Sequence, residues 1–117
     1  MKKHDALAAL AALAQDNRLD IFRLLVEAGP DGLAAGKVSE KLGLAPNTLT
    51  FHFDRLRDAG LVTVRRDGRS MIYAAQFDVM HGLLAYLTEN CCHGAVETSA
   101  PIVACKPARP KRTKILT

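Results

Sequence analysis

Nothing in these 117 residues approaches the roughly 18-residue apolar run that a membrane-spanning helix needs. Also missing are a nucleophile–base–acid triad, a glycine-rich phosphate loop and a pair of carboxylates at catalytic spacing, so no motif argues for an enzyme. No internal repeat occurs. Cysteine is scarce, three residues in all, and all three fall in the last third of the chain. The start, Met1-Lys2-Lys3 followed by alanines and leucines, imitates a signal peptide. His4, Asp5 and Gln15-Asp16-Asn17 interrupt it, and no small-residue cleavage site with a plausible mature start follows. The expectation is a cytoplasmic protein of one domain with a modest core. In that compartment thiols stay reduced, and cysteines bind metal or react more often than they form structural bridges.

Acidic residues are absent from the tail. Residues 106–117 carry Lys106, Arg109, Lys111, Arg112 and Lys114 and no carboxylate. The net charge of +4 therefore belongs to the tail, because residues 1–105 hold 11 cations against 12 acids. A body of that balance can hold a polyanion only if its cations are placed locally. Arg65, Arg66 and Arg69 lie within five residues of one another. A solvated charged hairpin is the plainer reading of the trio.

Apolar periodicity predicts a first helix over about 5–14, with Leu7, Leu10, Ala11 and Ala14 on one line. Asp16 or Asn17 is placed to cap a second helix, with Asp20 in its first turn. Leu19, Phe22 and Val26 mark one apolar line in it and Ile21, Leu24, Leu25 and Ala28 another, which puts it mid-core until Gly29-Pro30 ends it. A short helix over about 34–42 buries Val38 and Leu42. Gly43 supplies a left-handed turn, and Pro46 opens a further helix that buries Leu49, Phe53 and Leu56 and stops at Gly60. Two β-prone runs, 61–64 and 70–73, flank Asp67-Gly68 and form a hairpin with the three arginines at its tip. A last helix over about 77–90 carries Met80, Leu83, Leu84 and Leu87. Residues 93–117 read as a flexible basic tail, punctuated by Pro101, Pro107 and Pro110, behind a folded region of residues 1–92.

Helix, glycine turn, helix, glycine stop, hairpin is the order of a winged helix-turn-helix, mainly α with a β wing. Its second helix leaves Asn47, Thr48, Thr50, Phe51, His52, Asp54 and Arg55 outside the apolar line. Short polar side chains near the start of such a helix meet base edges and phosphates in the major groove. Phe51, an aromatic on a polar face, suits a thymine methyl, or else packs sideways into the wing. Asn47 reads adenine or caps the helix. The wing arginines Arg65, Arg66 and Arg69 suit a flanking minor groove or its phosphates.

The stretch from Asn47 to Val62, NTLTFHFDRLRDAGLV, resembles the recognition helix and exit of the ArsR/SmtB winged-helix metalloregulators. The Arg66-Asp67-Gly68-Arg69 wing followed by Tyr73 resembles that family too, and the likeness spans roughly residues 5–92. It implies a homodimer built from the first and last helices, an inverted-repeat operator in double-stranded DNA, and repression relieved by metal. His52 stands at a family position, with a surface contact and base reading both open as its role. One family metal site uses a Cys-Val-Cys pattern in the first helix of the helix-turn-helix, and residues 32–40 contain no cysteine. A zinc type uses Asp and His on the last helix. Asp78 and His81 lie there, with His93 following, but not at the family's spacing.

There remain Cys91, Cys92 and Cys105, similar to the arsenic sensors of the family with C-terminal thiols. Adjacent residues on a helix point about 100° apart, so Cys91 and Cys92 face one ion only if the helix ends there. The thirteen residues from Cys92 to Cys105 span about 45 Å when extended, so Cys105 can close the site within or between subunits. Three thiolates suit a trivalent inducer, As(III) or Sb(III), whereas Zn(II) or Cd(II) asks for a fourth ligand such as His93. Two thiolates alone suit methylated arsenite. The expected function is a metalloid-responsive repressor with no organic cofactor. A thiol redox switch bridging Cys91 or Cys92 to Cys105, a zinc- or cadmium-responsive repressor, and a metal buffer stay open beside it.

Overall fold

The computed structural model describes residues 1–94, in two units: Met1–Leu87, and one that begins at Thr88. The first unit contains α1 (Lys3–Leu13), α2 (Asp16–Ala28), β1 (Leu33–Ala34), α3 (Ala35–Leu42), α4 (Pro46–Asp58), β2 (Val62–Asp67), β3 (Ser70–Ala75) and α5 (Phe77–Leu87). The strands form one antiparallel sheet in the order β1-β3-β2. This is a winged helix-turn-helix, as the alternation of periods predicts.

α2 runs through the middle of the core, where Ile21 and Leu25 are wholly buried and Phe22 nearly so. Val38 from α3, Leu49, Phe53 and Leu56 from α4, and Leu61 and Val62 from the start of the wing close around it. Phe53 lies parallel to Tyr73 of β3 with ring centroids 3.6 Å apart, which fastens α4 to the sheet. Such a pair adds about 0.5–1.5 kcal/mol beyond the area it buries. Between α3 and α4, Gly43 takes φ 69°, and its N–H donates to the Ser39 carbonyl at 2.8 Å. The Ser39 hydroxyl then donates to the Leu44 carbonyl at 2.6 Å, locking the turn that sets the angle between the two helices.

Several expectations need correction. α1 turns its predicted apolar line outward. Ala6, Ala9 and Ala12 are buried, while Leu7 is 58% and Leu10 39% exposed and Ala11 and Ala14 face solvent. Small side chains let α1 lie close against its neighbours, so the alanine stripe is the one that packs. Leu19 (44% exposed) and Leu87 (55%) also lie outside the core. The α2 cap is Gln15, whose side chain accepts from the Arg18 N–H at 2.9 Å, with Asp16 rather than Asp20 in the first turn. β1 escapes prediction because two residues show no periodicity. Gly32, at φ 74°, makes it possible, since a Cβ there would collide with the Tyr73 carbonyl. α5 stops at Leu87, three residues short of the predicted end.

Candidate DNA-reading surface and thiol pair

Pro46 opens α4, whose N-cap is Ala45, so Asn47 stands inside the first turn and does not cap it. The Asn47 side-chain oxygen accepts from the Thr48 N–H at 3.1 Å, and the Thr50 hydroxyl donates to the Pro46 carbonyl at 3.0 Å. Both side chains are thereby oriented while exposed. The Asn47 amide keeps its two donors, and the Thr50 oxygen keeps lone pairs for an incoming donor. Thr48 is exposed beside them. Pro46 has no N–H, the Thr48 N–H goes to Asn47 and the Leu49 N–H to the Ala45 carbonyl, so the Asn47 N–H is the first-turn donor left for a phosphate, which the helix dipole favours.

Phe51 is 51% exposed and does not pack into the wing. The Arg55 guanidinium stands 5.1 Å from its ring centroid, and the His52 ring meets it edge-on at 5.5 Å. A cation over the ring stiffens an aromatic that would otherwise sweep freely in solvent. The outer face of α4 thus offers two threonines, an asparagine amide, an aromatic plate and an arginine.

His52 is the correction on this helix. Predicted outside the core, it is 6% exposed, between the apolar positions Leu49, Phe53 and Leu56. At 100° per residue, position 52 falls one turn beyond Leu49 and inside the buried arc, which is wider than the i, i+4, i+7 line suggests. Arg18 of α2 faces it, with Nη1 at 3.5 Å from Nδ1. Burial first, then the positive charge of Arg18, pushes the His52 pKa below its ordinary 6.5. Arg18 carries no sequence signal for this role, because only the fold brings positions 18 and 52 together.

The three wing arginines do not share the tip. Asp67 pairs with Ser70, so Gly68-Arg69 is a two-residue loop, and Arg65 and Arg66 lie within β2 on opposite faces of the strand. Arg65 donates to the Asp31 carbonyl at 3.2 Å, tying the strand to the loop before β1. Arg66 and Arg69 are exposed, and no ion pair engages either among the described residues.

In the second unit, the Cys91 N–H donates to the Thr88 carbonyl at 2.9 Å, and a 3-10 turn covers Cys91–Gly94. Asn90 and Cys92 both take left-handed backbone, φ 58° and 55°. Within this turn the Cys91 thiol lies 3.7 Å from the Cys92 sulfur, and both residues are exposed. Two sulfurs held about 2.3 Å from one ion at a tetrahedral angle lie roughly 3.8 Å apart, so this pair has the spacing of a two-thiol chelate. Cys105 lies outside the described residues, as does the whole basic tail. Asp78 and His81 are exposed on α5, and no group of three or more His, Cys, Asp or Glu side chains converges among the described residues. No helix there is long and apolar enough to cross a membrane.

An arginine-bearing wing beside a helix with a polar outer face defines a DNA-binding protein of the winged helix-turn-helix class. Residues 13–65 match the family model described as a helix-turn-helix domain. The HTH-type transcriptional regulator YceK of Bacillus subtilis (strain 168) is 36% identical over 79 residues, covering 68% of this chain and 78% of that protein. HlyU from Vibrio cholerae N16961 superposes with a TM-score of 0.61 at 28% identity, over 79% of this chain and 99% of that one. An ArsR-like transcriptional regulator from Rhodococcus sp. RHA1 shares the fold at a TM-score of 0.67 and 20% identity, over 86% and 96% of the two chains. So does the homodimeric DNA-binding domain Mb0332 from Mycobacterium bovis, at a TM-score of 0.60 and 24% identity over 74% and 81%. The chain belongs to the HTH-type transcriptional regulators.

Proposed function

We propose that this regulator is a metalloid-responsive repressor, bound to an operator as a dimer and released when As(III) or Sb(III) takes the thiolates of Cys91, Cys92 and Cys105. The observation that carries the reading is the exposed Cys91–Cys92 pair with its sulfurs 3.7 Å apart. A soft, trivalent ion with three sulfur positions uses such a pair and one more thiolate. Zinc or cadmium needs a fourth donor. The turn bearing the pair follows α5 in the chain after only three residues. Thiolate coordination therefore changes the segment that leaves a helix of the DNA-binding unit.

Dimerisation rests on the outward face of α1, where Leu7, Leu10, Ala11 and Ala14 form an exposed apolar stripe among the described residues. The Mb0332 domain, described as homodimeric, shares the fold and is in keeping with a dimer. Two copies place two α4 helices on an inverted repeat, with Asn47, Thr48, Thr50, Phe51 and Arg55 toward the bases and Arg66 and Arg69 on the flanking backbone. Arg65 serves the wing itself, and His52 stands behind the reading face.

The test is fluorescence anisotropy of the reduced full chain on duplex DNA from its own upstream region, titrated separately with arsenite, antimonite, zinc and cadmium. The expected result is release by arsenite and antimonite, with an affinity loss of about 5–150-fold. Cys91→Ser and Cys92→Ser should each abolish that release while leaving DNA binding intact. Release by peroxide in metal-free buffer, with no response to the trivalent ions, would hand the thiols to redox chemistry instead.

A further inference from the structure

α4 buries one polar side chain, and its partner comes from a different helix. Arg18, in the first turn of α2, donates from Nε to the Ala12 carbonyl at 2.6 Å and from Nη1 to His52 Nδ1 at 3.5 Å. Arginine has no acceptor, so Nδ1 must offer its lone pair, and the imidazole is neutral with its proton on Nε2. The Ala12 carbonyl belongs to the last turn of α1, where the final carbonyls have no intrahelical donor. α1 has no basic residue of its own in that turn. Arg18 therefore supplies both the missing hydrogen bond and the cation that the negative end of the helix favours.

One guanidinium thus clasps the end of α1 and the middle of α4. The contacts run on from there, since His52 meets Phe51 edge-on and Arg55 lies over Phe51. A contiguous line joins the helix with the apolar outer face to the aromatic at the reading surface.

We propose that Arg18 is a positioning residue for DNA recognition: acting through His52, it holds α4 at its working angle against the end of α1. The inference rests on the reading of the outer face of α4 as the DNA-contacting surface. It carries a consequence that packing alone lacks. A protonated His52 cannot accept from Arg18 and places a second positive charge against it, so the clasp opens on acidification. Arg18 is the charge acting on His52. Elsewhere on α2, Asp16, Asp20, Arg23 and Glu27 are exposed. On α3, Lys37 pairs with Glu40 and Lys41 is exposed; on β2, Arg65, Arg66 and Asp67 are exposed; the second half of α1 has no charge. The α4 charges Asp54, Arg55, Arg57 and Asp58 point to solvent as well, so none of these carboxylates is buried beside the imidazole to stabilise its charged form.

The experiment measures affinity of the full chain for a duplex selected by the wild type from a random pool, between pH 8 and pH 5.5, with thermal melting at each pH. Wild type should lose affinity by about 5-fold or more as pH falls below 6.5. His52→Asn, which keeps an acceptor near the Nδ1 position but does not titrate, should bind like wild type at pH 8 and lose most of that acid limb. Arg18→Met should bind about 10-fold more weakly at pH 8, with a correspondingly flattened profile. Should Arg18→Met fail to fold, the His52→Asn profile decides alone. An unchanged acid limb in His52→Asn, or wild-type affinity in a folded Arg18→Met, overturns the proposal. Arg55→Ala is the control for the underlying reading: if it leaves affinity untouched, α4 is not the DNA-contacting helix, whatever the Arg18 variants do.

Discussion

α1 and α4 are both two-faced helices packed on the same core, and their outward faces differ in kind. α1 presents Leu7, Leu10, Ala11 and Ala14, whereas α4 presents Asn47, Thr48, Thr50, Phe51 and Arg55. Each helix carries exposed apolar surface, but only α1 carries it as an unbroken stripe. On α4 the single aromatic is bracketed by a cation and by groups that donate and accept hydrogen bonds. A stripe of that sort is suited to a second protein surface, and a mixed face to the edges and phosphates of a nucleic acid. On the proposed reading, assembly and DNA contact are divided according to which side of each helix faces away from the core.

Breaking the α1 side should have the largest effect. Leu7→Glu with Leu10→Glu places two charges on the stripe without touching the buried Ala6, Ala9 and Ala12. Sedimentation should show a monomer that melts close to wild type, and operator affinity should fall by about 100-fold or more, because two half-sites no longer bind as one unit. A double variant that still sediments as a dimer would move the interface away from α1.

A sharper contrast lies within α4. Phe51 and Phe53 are two residues apart, one half in solvent and the other 1% exposed against Tyr73. Phe53→Ala should destabilise the fold by about 3–5 kcal/mol. Phe51→Ala should change stability by no more than about 0.5 kcal/mol. It should instead cost about 1–3 kcal/mol of discrimination at one base pair, read by comparing duplexes with each base substituted there. Equal effects of the two changes on melting would erase the distinction between an inner and an outer face.

Periodicity made most of this architecture legible. The α2 core lines apart from Leu19, the Gly43 turn and the Leu49–Phe53–Leu56 stripe are local patterns, and the chain obeys them. What stayed hidden depends on tertiary neighbours. Leucine outranks alanine in any hydropathy count, so nothing local says that α1 buries its alanines. His52 sits at the edge of a helical arc, and only the arrival of Arg18 from α2 makes burial tolerable there. β1 exists because Gly32 lets the chain lie against Tyr73, far away in sequence. At the thiol pair, the sequence signals that α5 must end but not where. The left-handed Asn90 and Cys92 of the turn that carries the sulfurs are non-glycine positions, and composition does not announce them.

The smallest predicted effects concern the wing, and they separate three arginines that look alike in sequence. Arg66 and Arg69 are exposed, while Arg65 is hydrogen-bonded to the Asp31 carbonyl. Each phosphate contact that is removed lowers the slope of log affinity against log salt by about 0.9. Arg69→Ala and Arg66→Ala should each weaken binding to every duplex alike and reduce that slope by about this amount per subunit. Arg65→Ala should leave the slope unchanged. Its effect should instead be a modest fall in melting temperature, because the loop before β1 loses its tie to β2. If all three variants lower the slope equally, Arg65 exchanges its carbonyl for a phosphate on binding, and the wing acts as one cationic surface rather than as a strut with a charged tip.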